Sequence, residues 1–158
     1  EQPPVLNAVA KAAAVSALYP ADLVMGADTV IEFVGKVIGK PDDLDHARRI
    51  LREFAGRRHS VVTSVCLLCP ERHIKCIFSA STQVVFKNYD VTVIEDYLDK
   101  VHVLDKAGAY AVQEYGEMLV ERFEGPLDNI VGLPSGKVME ALYGCGLTSL
   151  MLKQAPSR

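Results

Sequence analysis

Asp28 is the first residue whose type and setting could do chemistry. It follows a short apolar run, residues 22–26, that ends on Gly26. A carboxylate at the end of a buried strand sits where α/β sheets place ligands. There it can take a proton from water or hold a divalent metal. An N-cap or turn aspartate is the other reading, and position alone leaves both open. Lys40 stands in Gly39-Lys40-Pro41. A cation on a stiffened segment just before a helix start can meet phosphate oxygens. An ordinary solvated lysine fits the same position. Lys11 lies among alanines, where it either lays its stem along an apolar face or points into a cleft. Asp105 and Lys106 precede Ala107 and Gly108. They read as a salt-bridged loop or as a pair facing a phosphate–metal site that Gly108 lets a ligand approach. Gln113 carries both donors and an acceptor, enough to read a base edge, or it is a polar loop residue.

Cys66, Cys69, His73 and Cys76 have the look of a metal-binding string. Zinc is nevertheless not expected. Cys66 and Cys69 are an odd number of residues apart along a strand, which turns their side chains to opposite faces, and Cys76 falls on an apolar face. No glycine-rich dinucleotide or P-loop signature is present.

These residues need elements to carry them. Apolar spacing predicts a helix over 7–18, with Ala8, Val9, Ala12 and Val15 on one side and Pro20 as the stop. A buried strand over 22–26 delivers Ala27, Asp28 and Thr29 at its end. Residues 30–34 and 37–39 flank a tight type II′ hairpin with Gly35 and Lys36 as its central pair. A helix over 41–54 has acidic residues in its first turn, and Gly56 closes it. Strands follow over 60–68 and 74–86, then a helix capped by Asp90 and running to about 101. Residues 102–116 are irregular, 118–123 form a strand, and a helix begins at Pro134. The tail beyond Gly146 is expected to fray. Intermixed strands and helices mean one α/β or α+β domain around a mixed sheet.

Bulk properties narrow the function. The 158 residues are 49% hydrophobic and 23% charged, so a real core can form. A net charge of -3 argues against holding a nucleic-acid polymer by bulk positive charge. No apolar run approaches the ~20 residues that span a bilayer, and no signal peptide is seen, so neither a membrane nor secretion is expected. Four cysteines suit a reducing cytoplasm better than a disulfide scaffold.

The order of these signals resembles one family. Gly26-Ala-Asp-Thr-Val30, Gly35, Gly39-Lys-Pro41, Ala47, Leu51, Gly56-Arg-Arg-His59 and Val62-Thr63 are similar to the central block of the Maf family. Asp105-Lys-Ala-Gly-Ala-Tyr-Ala-Val-Gln113 resembles its second block, and Asn129-Ile-Val-Gly-Leu-Pro134 its third. The resemblance implies a single Maf-like domain over 1–158. It also implies an elongated mixed sheet flanked by helices, with two lobes and a cleft, related to inosine triphosphatases. The implied activity is hydrolysis of a nucleoside triphosphate between its α and β phosphates, with Mg²⁺ or Mn²⁺, in the branch that prefers dTTP and UTP. By motif position Asp28 matches the proton acceptor. Lys11 and Lys40 match phosphate-facing lysines, Thr29 and Gln113 match positions tied to base choice, and Asp105 and Lys106 join the substrate side. A homodimer is implied as well. The family's opening strand and its Ser-x-Ser-Pro-Arg-Arg-like loop have no counterpart in these residues, so this chain is expected to be N-terminally incomplete and weak or inactive alone. The alternative is a non-catalytic Maf-like protein that serves as an interaction module.

Overall fold

Small residues spaced four apart open the chain. Pro4, Ala8, Ala12 and Ser16 form one buried stripe along helix α1, Pro3–Ser16. The helix starts four residues earlier than its apolar spacing suggests. Two prolines are tolerated in a first turn, whose N–H groups have no intrahelical acceptor. Val15, expected inward, is exposed. The buried stripe is narrow and made of small side chains, which lets the helix backbone approach its neighbour closely. The computed structural model describes residues 3–147, and the expected fraying tail at 148–158 lies outside the described residues.

Strand β1, Val24–Phe33, runs without a break where two shorter strands were expected. Asp28 and Thr29 are therefore inside a strand, not beyond its end. Cross-strand pairing outweighs the weak β propensity of Gly26 and Asp28. Alternation puts Gly26 and Asp28 on one face and Ala27, Thr29 and Ile31 on the other. Strand β2, Lys36–Ile38, pairs antiparallel with β1 in the register Phe33↔Lys36 and Ile31↔Ile38. The central turn residues are thus Val34 and Gly35, not Gly35 and Lys36. Both have positive φ, 49° and 73°, which makes a type I′ turn. A β-branched residue is strained there. The register that turns Ile31 and Phe33 into the core holds it in place.

Helix α2, Leu44–Phe54, starts three residues later than expected, because the Asp43 carboxylate caps it by accepting from His46 N at 2.7 Å. Ala47, Ile50, Leu51 and Phe54 face inward, and Gly56 follows at a φ of 67°. Strands β3, Arg58–Cys69, and β4, Ile74–Phe86, lie close to their expected bounds. Helix α3, Val91–Lys100, is capped by Asp90 as expected. Strand β5, Val120–Glu124, pairs antiparallel with β4. Helix α4, Leu127–Val131, was not expected: five residues are too few for a readable period. Helix α5, Ser135–Gly144, follows Pro134. The sheet order is β2-β1-β3-β4-β5, with helices flanking it, so the α/β class holds.

The chain divides into two compact units. One comprises residues 1–28, 64–80 and 133–158; the other comprises 29–63 and 81–132. Within the first, Ala8 and Ala12 pack on Cys66, and Val65, Leu67 and Val138 form a second small core. Within the second, Phe33, Leu51, Phe54, Phe86, Ile94 and Tyr97 anchor a larger core. No helix among the described residues is long and apolar enough to cross a membrane.

Candidate active site

In the first unit, α1 sits directly on β1 at Gly26. A Cβ on Gly26 would overlap the Ala8 carbonyl oxygen and lie 2.6 Å from Ala12 N. Contact that close fixes the neighbouring positions. Asn7 and Lys11 are one helical turn apart on the same flank of α1, and Asp28 is two residues from Gly26 on the same face of β1. Lys11 Nζ donates to Asp28 Oδ1 at 2.7 Å and to Ala27 O at 3.1 Å. Asn7 Nδ2 donates to Asp28 Oδ2 at 3.0 Å. The Asp28 side chain is 16% exposed and that of Lys11 58%. The carboxylate is thus held by a donor on each oxygen while keeping contact with solvent. The Lys11 ammonium points at Asp28. Asp28 is neither an N-cap nor a turn residue. Asn7 carried no sequence signal beyond its four-residue offset from Lys11.

In the second unit, Thr29, Ile31, Val61, Lys106, Tyr110 and Gln113 line a cavity of about 220 Å³. That lies below the ~300 Å³ at which drug-sized pockets begin and leaves room for about one ring. Three expected residues, Thr29, Lys106 and Gln113, therefore share one cavity. Lys106 lines it with its charge engaged elsewhere. Its Nζ donates to His102 O at 2.9 Å and to Asp105 Oδ1 at 3.1 Å, and it pairs with Glu114 Oε1 at 3.2 Å. Burial pulls the Lys106 ammonium down, but Asp105 and Glu114 outweigh it and leave it raised. The hydrogen bond from Lys106 in turn lowers the Asp105 carboxyl. Lys40 is exposed, and its neighbour Gly39 accepts at its carbonyl from Gly108 N at 2.9 Å. That bond ties the Lys40 segment to the 105–113 loop. Gly108 takes a φ of 70° and packs against Ile31 and Phe54, so a side chain there is excluded both by conformation and by space.

Buried aromatic groups fix the rest of that loop. Ala111 N donates to Tyr97 Oη at 3.0 Å. Tyr110 Oη and His59 Nε2 are 2.8 Å apart, and the His59 ring stacks on Phe54. Burial lowers His59 from 6.5 to about 4 and raises the Tyr110 phenol. His59 is therefore neutral when folded at neutral pH, and Nδ1 has no partner. Its linkage has a definite sign. Between pH 6.5 and 4 the unfolded chain binds a proton that the folded chain refuses, so this contribution is complete above pH 6.5 and lost as pH falls toward 4. At ~1.4 kcal/mol per unit the loss is at most about 3–4 kcal/mol. Melting curves from pH 7.5 to 4 are expected to show a steeper fall for the native chain than for His59→Phe. Equal slopes would remove His59 from this role.

Thr63 and Asn129, both fully buried, were quoted in sequence motifs but given no role. Thr63 Oγ1 lies 2.9 Å from Thr29 Oγ1 and donates to Asn129 O at 3.1 Å. The Asn129 amide spans Val61 O at 2.9 Å and Thr82 Oγ1 at 3.1 Å. As for a metal, no three His, Cys, Asp or Glu side chains gather into a cage among the described residues. Asp28 offers one carboxylate with lone pairs to spare beside Lys11 and Asn7. That donor set fits a Mg²⁺-like ion carried mainly by substrate phosphates, since such ions take one or two carboxylates and fill their shell with phosphate oxygen and water.

A lysine-held carboxylate in one unit, and in the other a mostly apolar cavity with Thr29, Lys106 and Gln113 in its lining, each fit a small-molecule enzyme. The model of the Maf-like protein family matches residues 2–145, and this chain belongs to that family. It is similar to a dTTP/UTP pyrophosphatase of Akkermansia muciniphila, with 42% identity over 89% of this chain and 73% of the relative. Another, from Acholeplasma laidlawii, is 37% identical over 84% of this chain and 68% of its own length. One from Thermotoga maritima is 39% identical over 78% of this chain and 60% of its own length.

Proposed function

We propose that this protein is a nucleoside triphosphate pyrophosphatase that hydrolyses dTTP- and UTP-like nucleotides to the monophosphate and pyrophosphate. The observation that carries the reading is the Asp28 carboxylate, held by Lys11 and Asn7 on a rigid strand. Two relatives with this activity in their names share 42% and 37% identity with the chain. Residues 1–158 act as one Maf-like domain in this reading.

Asp28 accepts the proton of the attacking water. Water oxygen bonds to the α-phosphorus, the bond from that phosphorus to the αβ-bridging oxygen breaks, and pyrophosphate leaves with the electron pair. Lys11 keeps Asp28 in place and adds positive charge where the phosphoryl oxygens gain negative charge. Lys40 takes phosphate oxygens. Asp105 and Lys106 belong to the substrate side by shaping the cavity and fixing its loop. Thr29 and Gln113 meet the base. Asp28 would hold a divalent ion together with substrate phosphates; when bound, Mg²⁺ or Mn²⁺ neutralises charge on the triphosphate. Four free thiols agree with a cytoplasmic setting, and a homodimer is part of the same proposal.

The test is a nucleotide panel with Mg²⁺, read as pyrophosphate released. dTTP and UTP are expected to be cleaved faster than ATP and GTP. Gln113→Ala should narrow that preference by about tenfold, because a base edge loses its partner. ATP or GTP as the best substrate, or release of orthophosphate alone, would contradict the reading.

A further inference from the structure

The Thr29–Thr63 hydrogen bond has a direction that can be deduced by counting protons. A threonine hydroxyl has one hydrogen. That of Thr63 is committed to the Asn129 carbonyl oxygen, 3.1 Å away in a fully buried setting. Thr63 can therefore only accept from Thr29. The hydrogen of Thr29 points to Thr63, and its lone pairs are left for whatever enters the cavity. The carbonyl that imposes this order is itself pinned. Asn129 Nδ2 donates to Val61 O and Thr82 Oγ1, and Thr82 donates its own hydrogen to Pro126 O at 2.8 Å. Every proton in the chain is assigned, so a flip of the Thr29 hydroxyl would cost a buried bond. Gly132, at a φ of 111°, places no side chain against the Thr29 oxygen, which a Cβ there would touch at 3.7 Å.

We propose that Thr63 is a specificity-determining positioning residue. By fixing Thr29 as an acceptor, it makes the cavity select a ring with an N–H edge, the imide of uracil or thymine, over cytosine. The substrate class rests on the pyrophosphatase reading above. Uracil and cytosine share one ring and nearly one size, so cavity shape does not separate them. Proton placement does, because cytosine turns a ring-nitrogen lone pair where uracil turns N–H. Lone pair would then face lone pair, leaving both groups unsatisfied. Gln113 does not supply this choice. It is exposed, and its amide can rotate to offer either a donor or an acceptor.

The test compares the native chain with Thr63→Val and Thr63→Ser. It measures kcat/KM for UTP and CTP, and calorimetric binding of UMP and CMP. The native chain is expected to favour the uridine nucleotide by about tenfold in both assays, in line with one hydrogen bond gained or lost. Thr63→Val, nearly the same shape, should bring that ratio close to one through KM, with kcat on UTP little changed. Thr63→Ser should keep the ratio. Thr29→Val, which deletes the acceptor, should flatten it too and serves if Thr63→Val does not fold. An unchanged ratio in the valine variants overturns the proposal, as does equal binding of UMP and CMP, or of neither, by the native chain. If UTP and CTP are cleaved equally well, the pyrophosphatase reading stands and this inference falls. If no triphosphate is cleaved but UMP is preferred and Thr63→Val abolishes the preference, the inference stands and the pyrophosphatase reading falls.

Discussion

Asp28→Asn should lower turnover by about 10²-fold or more, the scale of a lost general base. The substitution keeps the shape and one acceptor oxygen, for Lys11 or Asn7 but not both, and removes the charge that accepts a proton from water. Folding should change little. Lys11 is mostly solvated, and the ion pair it loses is worth within ~1 kcal/mol for an exposed pair. Pyrophosphate release under saturating dTTP and Mg²⁺, beside a thermal melt, separates the two effects. Turnover within threefold of the native chain would remove Asp28 from the chemistry.

Gly26→Ala is the second large effect, and it acts at a distance from any reacting group. The added methyl would collide with backbone atoms of α1, the Ala8 carbonyl oxygen and Ala12 N. A backbone has no rotamer with which to yield, so the helix must move off the strand. Overpacking of this kind costs about 1–3 kcal/mol. Asn7 and Lys11 ride on the same helix and leave Asp28 when it shifts. A displacement on the order of 1 Å at a catalytic group can cost roughly 10²-fold. The expected result is a lower melting temperature together with a fall in kcat. Truncating Ala12 to glycine should not rescue it, because the collision is with backbone. Native activity and stability in Gly26→Ala would mean that α1 does not set the position of Lys11.

Local chemistry made part of this legible in the sequence. Asp90 and Gly56 mark element ends by capping and by positive φ, and both stand where the sequence put them. The alternation of β4 shows in its residues because one face is buried. Asp28 and Thr29 were legible as types but misplaced, since a polar pair inside an apolar run reads as a strand end until its cross-strand partners are known. Asn7 could not be found. Its role depends on how α1 lies against β1, and that is fixed by the bare backbone of Gly26, not by any period in the helix. The Thr63–Asn129 link joins positions 66 residues apart and carries its meaning in proton direction, which no spacing records. Helix α4 was invisible because five residues hold little more than one turn.

The central claim, attack of water on the α-phosphorus, is tested most directly by running the reaction with dTTP in ¹⁸O-labelled water and weighing both products. The expected result is one labelled oxygen in the nucleoside monophosphate and none in the pyrophosphate. Label in pyrophosphate, or release of orthophosphate with a nucleoside diphosphate, would contradict it.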